Sequence, residues 1–185
     1  MRNLTKPEHE IFERIQSFQG VEIGMFELTE NQLSKGIIDA NKTIVSSFLS
    51  TGFHDFTVQG KGKENKILIE IGFMTGQGMV ESILSIYRPE TKSGDPRFWI
   101  YKLATLMHDY VPGDVIALAQ DGKRVFGINL SEAYRSNFEL SAFLKAFHTK
   151  PGLMPVAEEL LEKLNALNIG EPLPDLNGAD HAVGL

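Results

Sequence analysis

The chain has 185 residues, 42% of them hydrophobic and 23% charged, and a formal net charge of −6. This length and balance suit one compact domain with a core and appendages. The absence of cysteine excludes disulfides and thiolate metal sites. No apolar run approaches the ~20 residues of a membrane span, and the opening MRNLTKPEHE lacks the apolar core of a signal peptide. These features predict a cytoplasmic protein with no membrane partner.

Taken in order, Thr5 and Glu8 form a capping-box pattern ahead of a helix with Ile11, Phe12, Ile15 and Phe18 on one face, ended by Gly20. Residues 21–28 (VEIGMFEL) predict a short strand. Thr29 and Gln32 repeat the capping pattern and open a short helix that Gly36 stops. Asp39 is placed to cap a third helix, with Ile44, Val45, Phe48 and Leu49 as its buried stripe and Gly52 at its end.

From Phe53 the hydrophobic period changes to two. Residues 53–59 (FHDFTVQ) predict a strand with His54, Phe56 and Val58 on one face, and residues 60–65 a loop. Residues 66–73 (KILIEIGF) alternate strongly, TGQG at 75–78 turns the chain, and residues 80–87 return as a strand. Residues 88–96 form a turn-rich arm before a strand over 97–103, then one or two helical turns at 104–110. VPGD at 111–114 turns into a strand over 115–119, and Asp121-Gly122 suits a tight hairpin into a last strand over 124–130. Ser136 and Glu139 open a further helix with Leu140, Phe143, Leu144 and Phe147 as its core stripe. After the break at 151–155, residues 157–167 predict an acidic amphipathic helix with Leu160, Leu161, Leu164 and Leu167. The tail from 168 reads as a linker, and the natural protein is expected to continue past Leu185.

Seven short strands with helices outside them predict an α+β fold built on a small barrel. Residues 1–52 are expected to pack on it as helices and a first strand, 53–150 to form it, and 151–185 to supply a helix and linker.

The charge is unevenly spread. Lys61, Lys63 and Lys66 against Glu64 give +2 over residues 60–66, and Arg88, Lys92 and Arg97 against Glu90 and Asp95 give +1 over residues 88–97. The remainder therefore carries −9. Local basic surface governs phosphate contact, because charges are screened beyond ~8 Å at physiological salt. Two solvated loops are the plainer alternative. Lys61, Lys63, Lys66, Arg88 and Lys92 have the chemistry to neutralise phosphates. Arg97 suits a guanine edge, Gln59 or Asn65 an adenine, and Glu64 or Asp95 a cytosine amino group. Alternation puts Arg97, Trp99 and Tyr101 on one strand face, where the two aromatics equally suit a barrel core, and Asp95 is also placed to orient Arg97.

Catalytic motifs are not evident. No phosphate-binding glycine loop with lysine and no GxSxG occurs, and His9, His54, His108, His148 and His181 are scattered. Pro174-Asp175 is not followed by an ExK, and Glu70 has Gly72 where a nuclease would carry lysine.

The two arms, the GDPRFWIYKL segment and the PGDVIALAQDGKRVFGINL pattern resemble the DNA-binding pseudobarrel used as an effector domain in some type IIE restriction endonucleases. The EcoRII N-terminal domain and the plant B-three-type domains share that fold. The terminal GADHAVGL is similar to the opening of MvaI/BcnI-class nuclease domains. The resemblance spans residues 53–130, plus about eight residues of the tail. It implies a seven-stranded, B-three-like pseudobarrel whose two arms, here 59–66 and 88–97, enter the major groove of double-stranded DNA. It also implies a short CCWGG-type site, no cofactor for binding, and Mg2+ only for a nuclease domain that this chain lacks. The lack of an obvious dimer helix adds the expectation of a monomer. Two other functions stay open: a protein-interaction module using the 157–167 helix, and a self-contained metal-dependent hydrolase using Asp55, Glu70 and Asp95.

Overall fold

The computed structural model describes residues 1–135 except Gly76, Gln77 and Lys92, together with Leu160, Glu162 and Ala166. Helix α1 spans Lys6–Gln16, with Thr5 and Glu8 closing the expected capping box; its C-cap is Ser17, before Gly20. Strand β1 is Glu22–Glu27. Helix α2, Glu30–Lys35, is boxed by Thr29 and Gln32 and ends at Gly36 in the left-handed conformation. There the backbone comes so close to the neighbouring strand that a Cβ would lie 2.3 Å from the Ile100 carbonyl oxygen. Only glycine meets both demands.

The next segment departs from expectation. Residues Ile37–Asp39 form a short strand, β2, so Asp39 does not cap the third helix. Asn41 does: its Oδ1 accepts the backbone N–H groups of Thr43 and Ile44 at the start of α3, Lys42–Ser50. Ile44 and Phe48 are buried as predicted, but Leu49 faces solvent and Ser47 takes an inward position.

Residues 53–59 are not a strand. The amides of Phe53 and His54 both return to the Phe48 carbonyl, and Asp55 Oδ1 accepts from the Thr57 amide and hydroxyl. Phe56 is buried in the core beside Phe48 and Phe98, and Phe53 packs against it edge-on to Phe48 at 5.0 Å. The apolar residues of the segment are satisfied by ring contacts from a loop.

The other strands fall where periodicity puts them: β3 Ile67–Thr75, β4 Gly78–Tyr87, β5 Arg97–Ile100, β6 Val115–Gln120 and β7 Val125–Asn129. A short helix α4, Leu103–Leu106, succeeds β5, and α5, Leu130–Arg135, continues directly from β7. The sequence did not announce α5. The capping pattern at Ser136 and Glu139, with its apolar stripe, lies outside the described residues, as do Leu161, Leu164, Leu167 and the tail.

The seven strands form one sheet in the order β1-β6-β7-β3-β4-β5-β2, antiparallel except for the β3–β7 pair. Residues 1–52, expected to pack on the barrel, supply both edge strands of this sheet. Phe26 and Leu28 from one edge and Ile38 from the other share a core with Phe48, Phe73 and Phe98. A flat sheet cannot bring its edges to one core, so the sheet is curled around α3. The fold is thus mixed α+β with a curled seven-stranded sheet. A second cluster packs α1 against β6 and β7 through Ile15, Ala117 and Phe126. No helix among the described residues is long and apolar enough to cross a membrane.

Candidate nucleic-acid interface

A basic connector and a charge-balanced one meet on one rim of the sheet. Residues 56–66 lead into β3, and residues 88–96 join β4 to β5. Gly62 N donates to Arg88 O at 2.9 Å, which ties one backbone to the other. The Arg88 side chain does the rest. Its Nε donates to Gly94 O at 2.9 Å, and its Nη1 reaches Gln59 O at 3.1 Å and Phe56 O at 3.3 Å. One guanidinium therefore serves carbonyls on both connectors. Arg88, expected at a phosphate, spends these donors as a clasp between the arms.

Gln59 is likewise turned inward. It is 8% exposed, and its Nε2 donates to Asn65 O at 2.9 Å and Ile86 O at 3.1 Å. His54 Nε2 lies 3.0 Å from its Oε1. The amide that suited adenine is used to seat the loop on β4. Asn65 closes the same loop, donating to Lys61 O at 2.9 Å and to the Glu64 carboxylate at 3.2 Å. Residues Lys63–Asn65 form a single 3-10 turn.

Arg97 pairs with Asp39, not with Asp95: its Nε lies 3.1 Å from Asp39 Oδ1. Asp95 accepts the Ser93 hydroxyl. Trp99 and Tyr101 share a face as alternation requires, and they take the core option. Both are buried with Ile83, Tyr87 and Leu160, with their rings edge-on at 5.7 Å. Phe98 and Ile100, on the opposite face, enter the main core. Lys66 stands over this aromatic face, its Nζ 5.5 Å from the Tyr87 ring and 5.9 Å from that of Trp99. Such contacts fix the ammonium at the surface edge of the cluster.

Lys61, Lys63, Glu64, Asn65 and Asp95 are left exposed on the rim. The Lys61 stem lies across Gly94, where a Cβ would come within 2.4 Å of its Cε. Two carboxylates, Glu64 and Glu90, come against Gly62 and offset part of the positive charge. Lys92 lies outside the described residues. Sequence reasoning missed Asp39 as a partner, because a three-residue strand carries no periodic signal. It also missed Val58, which is 80% exposed beside the rim.

Asp55 is one of the three carboxylates offered above to a metal-dependent hydrolase. Asp55 serves the Thr57 turn, and the Thr57 hydroxyl and amide hold its carboxyl below the usual range. Among the described residues no group of three or more His, Asp or Glu could hold a metal ion.

The site is a hydrogen-bonded, partly basic rim on a curled α+β sheet. No protein-family model, no curated protein and no solved structure matches the chain.

Proposed function

We propose that the chain binds double-stranded DNA through this rim, as the effector or targeting domain of a type II restriction endonuclease acting at a CCWGG-type site. One observation carries the reading: Arg88 clasps the lysine-bearing 56–66 connector to its own connector as a single preformed edge that leaves Lys61 and Lys63 exposed. A preformed edge binds without the entropic cost of ordering a loop. In this reading the curled sheet is a B-three-like pseudobarrel, and the domain acts as a monomer without a cofactor. Mg2+ enters only with a nuclease domain. Lys61, Lys63 and Lys66 meet phosphates, while Glu64, Asn65 and Asp95 face base edges. Arg88, Arg97, Gln59, Trp99 and Tyr101 hold the rim in place.

The test is an anisotropy titration at ~0.15 M salt without metal, comparing a CCWGG duplex with a scrambled one. Selective binding without cleavage after magnesium is added supports an effector domain. Equal or absent binding removes the restriction-enzyme reading, and cleavage by this chain alone would make it a hydrolase.

A further inference from the structure

Val58 is the most exposed large hydrophobic side chain among the described residues, at 80%. Its support sets it apart from the other exposed apolar residues. On one side, Phe56 is buried in the core; on the other, Gln59 is buried against β4. The carbonyls of both residues accept from the Arg88 guanidinium. The turn that lifts Val58 is closed by Asp55, whose carboxylate holds Thr57 and whose carbonyl accepts the Val58 amide. Valine is also β-branched and stiff at χ1. The result is an apolar knob raised between two anchors.

Lys61 lies three residues along the same loop, within about 10 Å of chain. A partner that meets Lys61 and Lys63 through phosphates has its neighbouring surface within reach of Val58. In the major groove of DNA the apolar group on offer is the C5-methyl of thymine.

Resting on the DNA-binding reading above, we propose that Val58 contacts a pyrimidine C5-methyl group in the major groove, making the rim a reader of thymine methyls. The same contact would accept the methyl of 5-methylcytosine at that position.

The experiment uses the 185-residue chain and three duplexes: one carrying CCWGG, the same duplex with every thymine replaced by uracil, and a scrambled control. Loss of one buried methyl is expected to weaken binding about fourfold. Val58→Ala, at an exposed position, should keep the wild-type melting temperature and bind the thymine and uracil duplexes alike. Equal affinity of the wild-type chain for thymine and uracil duplexes, with binding intact, overturns this inference and leaves DNA binding standing. So does a Val58→Ala variant that still distinguishes them. Absence of binding to every duplex overturns the DNA reading itself, and this one with it.

Discussion

Asp39 lies directly opposite Arg97 in the β2–β5 ladder, and its Oδ1 accepts the Arg97 Nε–H at 3.1 Å. The Arg97 side chain is 16% exposed and that of Asp39 77%. An arginine held this way ties an edge strand of three residues to its neighbour. That is a different task from reading a guanine.

This pair predicts the behaviour of Arg97→Ala. Water screens the Asp39 end, so the coupling in a double-mutant cycle with Asp39→Ala should be only ~0.5 kcal/mol. Urea unfolding of the two single variants and the double variant measures it. The ratio of affinities for CCWGG and scrambled duplexes should be unchanged in Arg97→Ala. A collapse of that ratio would return Arg97 to base reading.

Arg88 should matter more. Arg88→Ala leaves the Gly94, Gln59 and Phe56 carbonyls without their donor, and a loss of about 2 kcal/mol is expected. Arg88→Lys should not restore it, because an ammonium cannot fork to separate carbonyls as a guanidinium does. Hydrogen exchange gives the local readout: the Gly62 amide, bonded to Arg88 O, should lose protection in both variants. Unchanged protection would mean that the arms are held together by something else.

Glu8 carries a pH prediction at the far side of the fold. The Arg2 guanidinium binds its carboxylate at 2.7 and 2.6 Å, and the Ser131 hydroxyl donates to it at 2.5 Å. Its pKa is lowered from 4.5 to about 2, chiefly by the bond from Arg2 and against the cost of burial. A carboxyl depressed in the folded state stabilises above its unfolded pKa, since the unfolded chain takes up the proton first. The contribution is therefore present at neutral pH and lost as pH falls from about 4.5 to about 2. Arg2 is 35% exposed, so about 2 kcal/mol is expected in place of the full shift. Thermal melts of wild type and Glu8→Gln should differ at pH 7 and converge toward the acid end of that window. A constant difference across it would assign the effect to packing.

Lys61 and Lys63 carry the phosphate prediction. Alanine at either should weaken binding to cognate and scrambled duplexes alike, and lower the slope of log K against log salt by about one. Melting temperatures should stay close to wild type, because both side chains are exposed. Unchanged slopes in both variants would place the DNA elsewhere on the surface.

Local rules were enough for much of this fold. Both capping boxes, the αL stop at Gly36 and the alternation of Ile69, Ile71 and Phe73 are short-range effects, legible because their partners lie within a few residues. The shared face of Trp99 and Tyr101 was legible for the same reason, and of the two uses open to it the fold takes burial. Tertiary structure decided the rest. Residues 53–59 alternate like a strand, yet the Phe48 carbonyl claims two of their amides and Phe56 drops into the core. Asp39 has the chemistry of a helix cap, but β5 lies beside it and takes it as a strand residue. Arg88 is basic and turn-flanked, as a phosphate ligand should be, but the carbonyls of both connectors converge on it. Residue type and spacing fix what a side chain is able to do. Which partner reaches it first is set by the folded chain, at times across 32 residues, as with Arg88 and Phe56, and one sequence read along its length does not display that.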